Sequence, residues 1–339
     1  MYEHLERKLR DVVPAIELRY KAELAYEILR LKEEKNAVIL GHNYMEPALF
    51  HSIPDFAGDS LELSREAART DKTIIVFCGV RFMAETAKIL NPEKTVLLPS
   101  MKAGCSLADS ITAADVRKLK EQFPGVPVVA YINTNADVKA ESDICCTSGN
   151  AAKVVQSVQS DAVIFIPDEF LARNVSRETG KRIIFPTVDP PASGNGNAAF
   201  QLIGWHGRCE VHEKFTIQDI LDVRRQFPDV VILAHPECRP EVVEAADFSG
   251  STSAMVRFVE QTNAPRYLLL TECAMGDNIA AANRKKEMLR LCSVRCPHMN
   301  QITLENTLNA LRFTQHEIEI PSDILGRARI AVERMLAIA

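Results

Sequence analysis

An α/β fold of three homologous αβα sandwich domains, with parallel sheets in pseudo-threefold arrangement and a site at their junction, is what this sequence predicts. Three observations carry the prediction. The first is a repeated phrase: Cys105-SLADSI-Thr112, Cys209-EVHEKF-Thr216 and Cys296-PHMNQI-Thr303. In each, a threonine follows the cysteine by seven positions, an Ile or Phe precedes the threonine, and an Asp or Asn stands three residues after it. No other cysteine has a threonine at that offset. A chain that repeats itself signals repeated structural units. The second observation is a set of short apolar runs at 37–41, 128–132 and 230–234, each followed by a further run: IIVFCGV, AVIFIPD or YLLLTEC. Continuous runs of this kind suit strands buried on both faces of a parallel sheet. The third is spacing. The strand-end polar residue and the cysteine lie 63 residues apart in the first copy (42 to 105) and 61 in the third (235 to 296).

The elements follow in order. Residues 1–35 form a helical segment, 36–111 the first α/β repeat, 112–215 the second, 216–302 the third, and 303–339 a closing helical segment. Each phrase threonine is expected to cap the helix that follows it. The first strand of each copy ends in a polar turn: Gly41-His42-Asn43-Tyr44, Ile132-Asn133-Thr134-Asn135 and Ala234-His235-Pro236-Glu237. Helix starts then follow near Ser60, Ser148 and Ser251-Thr252. A fourth strand, TVLLP or RIIFP, precedes the cysteine in the first two copies and is less clear in the third. The second copy is longer, with 76 residues from 133 to 209. The excess at 190–206 is rich in Gly, Pro, Asn and Ala and reads as an inserted surface loop. In such sheets ligands bind beyond the carboxyl ends of the strands, so the polar turns and the cysteines are expected to share a central site.

Composition narrows the class. The chain has 339 residues, is 47% hydrophobic and 25% charged, and carries a formal net charge of -5. This is the profile of a soluble globular protein, without a basic footprint for nucleic acid. No apolar run reaches the length of a membrane span, and the N-terminus lacks a signal-peptide core, so a cytoplasmic location is expected. Cysteines there serve metals or catalysis more often than disulfides, and nine is an odd count.

Three equivalent thiols from three repeats leave one coordination position open, the mark of a catalytic metal. Two groups fit: Zn²⁺ with a water, or a [4Fe-4S] cluster with three irons held by thiolate. The body diagonal of a cubane favours the cluster without excluding zinc. Cys78, Cys145, Cys146, Cys238 and Cys273 read as packed small hydrophobes. Cys292, four residues before Cys296, stands as a competing ligand or redox partner.

At this point the chain resembles the quinolinate synthase family. The matching segments are LGHNY (40–44), DFAGDSLELS (55–64), KAGCSLAD (102–109), VAYINTNADVKA (129–140), TSGNA (147–151), GRCEVHEKFT (207–216), AHPEC (234–238) and CPHMNQITLEN (296–306). The resemblance implies three homologous domains around a [4Fe-4S] cluster held by Cys105, Cys209 and Cys296. It also implies condensation of iminoaspartate with dihydroxyacetone phosphate to quinolinate, phosphate and two waters, for NAD biosynthesis. Functional coupling to L-aspartate oxidase would follow, with no nucleic acid and no membrane as partners. It places His42, Tyr44, Tyr131, Asn133, His212, His235 and Glu237 in the site. Glu237 is the candidate general base, with Tyr44, His235 and His212 as proton-transfer partners. The helix starts at Ser60, Ser148 and Thr252 are candidate clamps for the carboxylates and phosphate. Two rival readings use the same thiols: a zinc-dependent lyase or aldolase acting on a phosphorylated small substrate, and a non-enzymatic iron–sulfur sensor.

Overall fold

The computed structural model describes residues 1–186, 201–291 and 294–338. The expectations for Cys292 and for residues 190–200 lie outside the described residues. Three parallel sheets are flanked by helices. The first contains β1 (Ala37–His42), β2 (Phe56–Gly58), β3 (Ile74–Cys78) and β4 (Thr95–Leu97), in the order β2-β1-β3-β4. The second contains β5 (Val128–Tyr131), β6 (Ile144–Cys146), β7 (Val163–Ile166), β8 (Ile183–Ile184) and β9 (Leu202–Gly204), in the order β6-β5-β7-β9-β8. The third contains β10 (Val230–Ala234), β11 (Phe248–Ser249), β12 (Arg266–Leu270) and β13 (Glu287–Leu289), in the order β11-β10-β12-β13. The order is thus the same in the first and third sheets, and the second adds one edge strand. The central strands β1, β5 and β10 begin where the apolar runs begin, and β13 supplies the fourth strand that was unclear in the third copy.

The second sheet corrects one expectation. Residues 202–204, assigned by composition to the inserted loop, form β9, which is fully buried between β7 and β8. The RIIFP strand is present as β8 but sits at the sheet edge. The Gly- and Asn-rich run ends at 197, and the short apolar triplet Leu202-Ile203-Gly204 after it fills the place that β4 holds in the first sheet.

The short edge strands β2, β6 and β11 were not anticipated, because two or three residues give no periodicity. A repeated aspartate fixes them. The Ile39 amide donates to Asp55 Oδ2 at 2.8 Å, Val128 to Asp143 Oδ2 at 2.7 Å, and Ile232 to Asp247 Oδ2 at 2.8 Å. The amide of each aspartate returns a bond to the carbonyl of the same strand residue, at 2.9, 3.0 and 2.8 Å. Each carboxylate therefore serves an amide of a central strand and sets the register of the edge beside it.

The helix after each cysteine phrase leads to the next unit. Ala113–Gln122 precedes β5 and Ile217–Gln226 precedes β10. The third, Leu304–Phe313, packs on Ala15–Glu34 and β3 of the first sheet, and the Ile318 amide donates to the Val96 carbonyl in β4 at 2.8 Å. The chain thereby closes into a ring of three units. One continuous apolar core joins the first two sheets with the terminal helices, whereas the two faces of the third sheet form separate clusters.

Candidate active site

The three cysteine phrases fold alike. Each cysteine precedes a single 3₁₀ turn: Ala108–Ser110, His212–Lys214 or Met299–Gln301. The turn aims two amides at each sulfur: Leu107 and Ala108 at Cys105, Val211 and His212 at Cys209, His298 and Met299 at Cys296. Seven residues after each cysteine, the expected caps are in place. Thr112 and Thr216 accept from Asp115 and Asp219 at 3.3 Å, and Thr303 accepts from Asn306 at 3.2 Å. The second loop passes so close to β7 that a Cβ on Gly207 would lie 2.5 Å from the Pro167 carbonyl oxygen, which reserves that position for glycine.

Burial pushes the Cys105 thiol up to about 12, that of Cys296 to about 11, and that of Cys209 well above its ordinary value, while the backbone amides act in the opposite direction. Buried thiols in this range become thiolates when a cation arrives to compensate the charge. The donor set therefore fits a cationic group that accepts three sulfurs.

Every residue predicted for the site lines one cavity of about 70 Å³. Its wall alternates between the units. The first contributes His42, Tyr44 and Ser60, the second Tyr131, Asn133, Ser148 and His212, and the third His235, Glu237 and Thr252. His42 and His235 occupy matching turns. The Tyr44 amide donates to His42 Nδ1 at 3.2 Å, and the Glu237 amide donates to His235 Nδ1 at 3.3 Å. Each ring is thus a neutral imidazole with its proton on Nε2, and His235 Nε2 lies 3.3 Å from the Ser148 hydroxyl. Burial agrees, holding His42 at about 4 and His235 at about 3.

Glu237 is buried at the centre. Tyr131 donates to it in a short hydrogen bond, Asn133 Nδ2 donates at 3.2 Å, and His212 Nδ1 lies at 2.7 Å. Burial alone would raise this carboxyl, but the neighbouring histidines and these donors hold it below the usual carboxylate range. Tyr44 and Tyr131 are pushed well above the ordinary phenol value, first by burial and then by the Glu237 charge.

A model of the family described as quinolinate synthetase A protein matches residues 26–337. The chain is 51% identical to quinolinate synthase 2 of Mesorhizobium japonicum over 338 residues, which is 100% of this chain and 97% of that protein. It is 51% identical to the quinolinate synthase of Caulobacter vibrioides over 97% of this chain and 85% of that one. It is 53% identical to that of Xylella fastidiosa over 92% of this chain and 86% of that one. The chain belongs to the quinolinate synthetase A family. It is an enzyme of that kind.

In this quinolinate synthetase A chain the helix starts differ from expectation. Ser60 is the first helical residue, and Asp59 is the cap that takes the Leu61 and Glu62 amides. Thr252 likewise follows its cap, Ser251, and its hydroxyl accepts from Asn43 Nδ2 at 2.9 Å. Ser148 lies outside a helix, in the turn before Ala151–Ser157. The reason is local: Asn150 caps that helix, and its side-chain oxygen accepts from the Thr147 amide at 2.8 Å. Cys209, His212 and Glu237 also bring one donor atom each within 4.8 Å of one another, a set that a lone zinc ion accepts. Sequence reasoning missed Thr271, whose hydroxyl contacts Tyr44 and His212, and Asp168, a fully buried acid whose Oδ2 has no partner. Both stand just after third-run strands, in YLLLTEC and AVIFIPD, at the same sheet ends as the residues that were found.

Proposed function

We propose that this enzyme condenses iminoaspartate with dihydroxyacetone phosphate to quinolinate, phosphate and two waters in NAD biosynthesis, and that Cys105, Cys209 and Cys296 hold a [4Fe-4S] cluster. The observation that carries the reading is threefold. Three matching turns, one per unit, aim amides at three sulfurs on the wall of one polar cavity. When bound, such a cluster supplies a Lewis acid for a substrate oxygen or nitrogen, which eases loss of hydroxyl as water.

The remaining chemistry belongs to the side chains. Glu237 is the proposed base. Its three hydrogen bonds lower its basicity, so proton abstraction calls for a substrate group to displace a donor, and Asn133 at 3.2 Å is the longest-held. His212 keeps its Nδ1 hydrogen on the carboxylate and holds it in place. His235 and His42, neutral and protonated on Nε2, donate hydrogen bonds to substrate oxygens. Tyr44 delivers a proton to a departing oxygen. Ser60, Ser148 and Thr252 orient the anionic groups through their hydroxyls, with less help from free helix amides than a bare helix start would give, because Asp59 and Ser251 already occupy them.

No described helix is long and apolar enough to cross a membrane. The enzyme is read as cytoplasmic, with iminoaspartate drawn from L-aspartate oxidase. The Cys209, His212 and Glu237 set favours a second reading, a zinc-dependent lyase. An anaerobic assay separates the two. Quinolinate forms from the two substrates with wild-type protein and is lost in Cys105→Ser. A zinc enzyme built on the other set would keep most of its activity in that variant.

A further inference from the structure

Each cysteine arm is pinned by the helix that follows the third-run strand of its own unit. The first amide of helix Arg81–Leu90 donates to the Ala103 carbonyl at 2.8 Å, that of Glu169–Thr179 to the Gly207 carbonyl at 2.8 Å, and that of Cys273–Ala282 to the Val294 carbonyl at 3.2 Å. All three carbonyls stand two residues before the cysteine. The side chains beside these bonds differ. The residue just before the cysteine is Gly104, Arg208 or Arg295. Arg295 reaches Asp277 only at 3.4 Å, and both groups are partly exposed. Arg208 instead meets the Glu169 carboxylate, which is 4% exposed, with Nε at 3.0 Å and Nη2 at 2.9 Å from Oε2.

The two oxygens of this carboxylate face different ways. Oε1 takes Arg173, four residues on in the same helix, at 2.9 Å. Among the described residues, Oε2 meets only the arm: Arg208 and, at 3.4 Å, His206 Nδ1. Charge-assisted bonds of this length to a buried carboxylate are strong. The arm they hold touches both of the others. Trp205 Nε1 donates to the Ser110 carbonyl of the Cys105 phrase at 3.0 Å, and Glu210 Oε1 lies 3.1 Å from His298 Nε2 of the Cys296 phrase. A shift of the Cys209 arm is therefore felt at all three sulfurs.

We propose that Glu169 is a positioning residue for the group shared by the three thiols: through its amide and Oε2 it fixes the Cys209 arm to the second unit and so presents that sulfur where the other two require it. The inference rests on the reading of Cys105, Cys209 and Cys296 as ligands of one cluster. Glu169 is not on the cavity wall, so its effect passes through the arm.

The test compares Glu169→Gln and Arg208→Gln with Arg173→Gln, the control on the other oxygen. In apo protein, alkylation by iodoacetamide is followed at each cysteine by mass spectrometry. Glu169→Gln and Arg208→Gln raise labelling of Cys209 by about 10-fold relative to Cys105 and Cys296, and Arg173→Gln leaves the ratio at its wild-type value. In anaerobically reconstituted protein, a chelator bleaches the visible absorption of the cluster about 10- to 100-fold faster in the same two variants. The double variant bleaches no faster than the worse single one, because the pair acts as one unit, and Arg173→Gln bleaches at the wild-type rate. Wild-type rates in Glu169→Gln or Arg208→Gln would overturn the proposal, as would uniform labelling of the three cysteines, full multiplication of the two losses, or an equal effect of Arg173→Gln. Should Glu169→Gln fail to fold, Arg208→Gln decides alone. Wild-type protein that takes up no cluster would sink the cluster reading itself, while the labelling ratios still decide whether Glu169 holds the arm.

Discussion

His42, His235 and Glu237 are buried together on the wall of one cavity. Two histidines at matching strand ends were legible as a pair because the repeat placed them there. Their shared turn, with an amide two residues on donating to Nδ1, explains why each must be neutral. This has a pH consequence. Their folded values, about 4 and about 3, lie below the ordinary imidazole value of 6.5. Between those limits the unfolded chain binds more protons, so their contribution to stability is complete above pH 6.5 and is lost as pH falls toward 3. The urea midpoint should drop over that window, and His42→Gln should flatten the drop; an unchanged profile would count against neutral rings. Glu237→Gln should lower kcat by about 10²- to 10⁴-fold with little change in KM, measured by steady-state quinolinate formation. Thr271 was not legible at this scale, because a threonine after an apolar strand looks like any other until its two contacts are seen.

At the scale of elements, periodicity found the long strands and the capped helices, and composition failed at the insertion. The Gly- and Asn-rich composition masks Leu202-Ile203-Gly204, although three residues suffice for a buried strand between two neighbours. The edge strands β2, β6 and β11 were equally hidden, but a signal for them exists. Asp55, Asp143 and Asp247 recur before a hydrophobic residue in all three copies, and each carboxylate serves a strand amide. Asp143→Ala should therefore cost about 1–3 kcal/mol in urea denaturation, since it orphans the Val128 amide. A loss within error would show that water replaces the carboxylate there. The Cys209 loop makes a sharper case. Gly207→Ala should depress metal loading more than thermal stability, because the added methyl meets the Pro167 carbonyl and displaces the cysteine two residues later.

For the whole molecule, the threefold plan was legible from the cysteine phrases, whereas the unequal joints between units were not. The first two units share an apolar core with the terminal helices. The third meets the first through Tyr44, which packs against one of its apolar clusters, and through a set of polar contacts. Asn278 Nδ2 donates to the Asn43 and Met45 carbonyls at 3.2 and 2.9 Å, the Asp59 backbone amide donates to the Ser253 hydroxyl at 3.0 Å, and Arg257 pairs with Glu62 at 2.9 Å. Such joints depend on side-chain geometry that no single-sequence pattern carries. Asn278→Ala should lower hydrogen-exchange protection in β10 and β12 more than in β1 and β5; uniform loss would contradict a separable third unit. The central claim is that one thiol from each unit binds a single shared group. Iron, sulfide and zinc analysis of anaerobically purified wild-type protein and of Cys105→Ser tests it most directly. The account predicts brown wild-type protein with about four iron and four sulfide per chain, and loss of the cluster in the variant. Colourless wild-type protein with one zinc per chain, retained in Cys105→Ser, would contradict it.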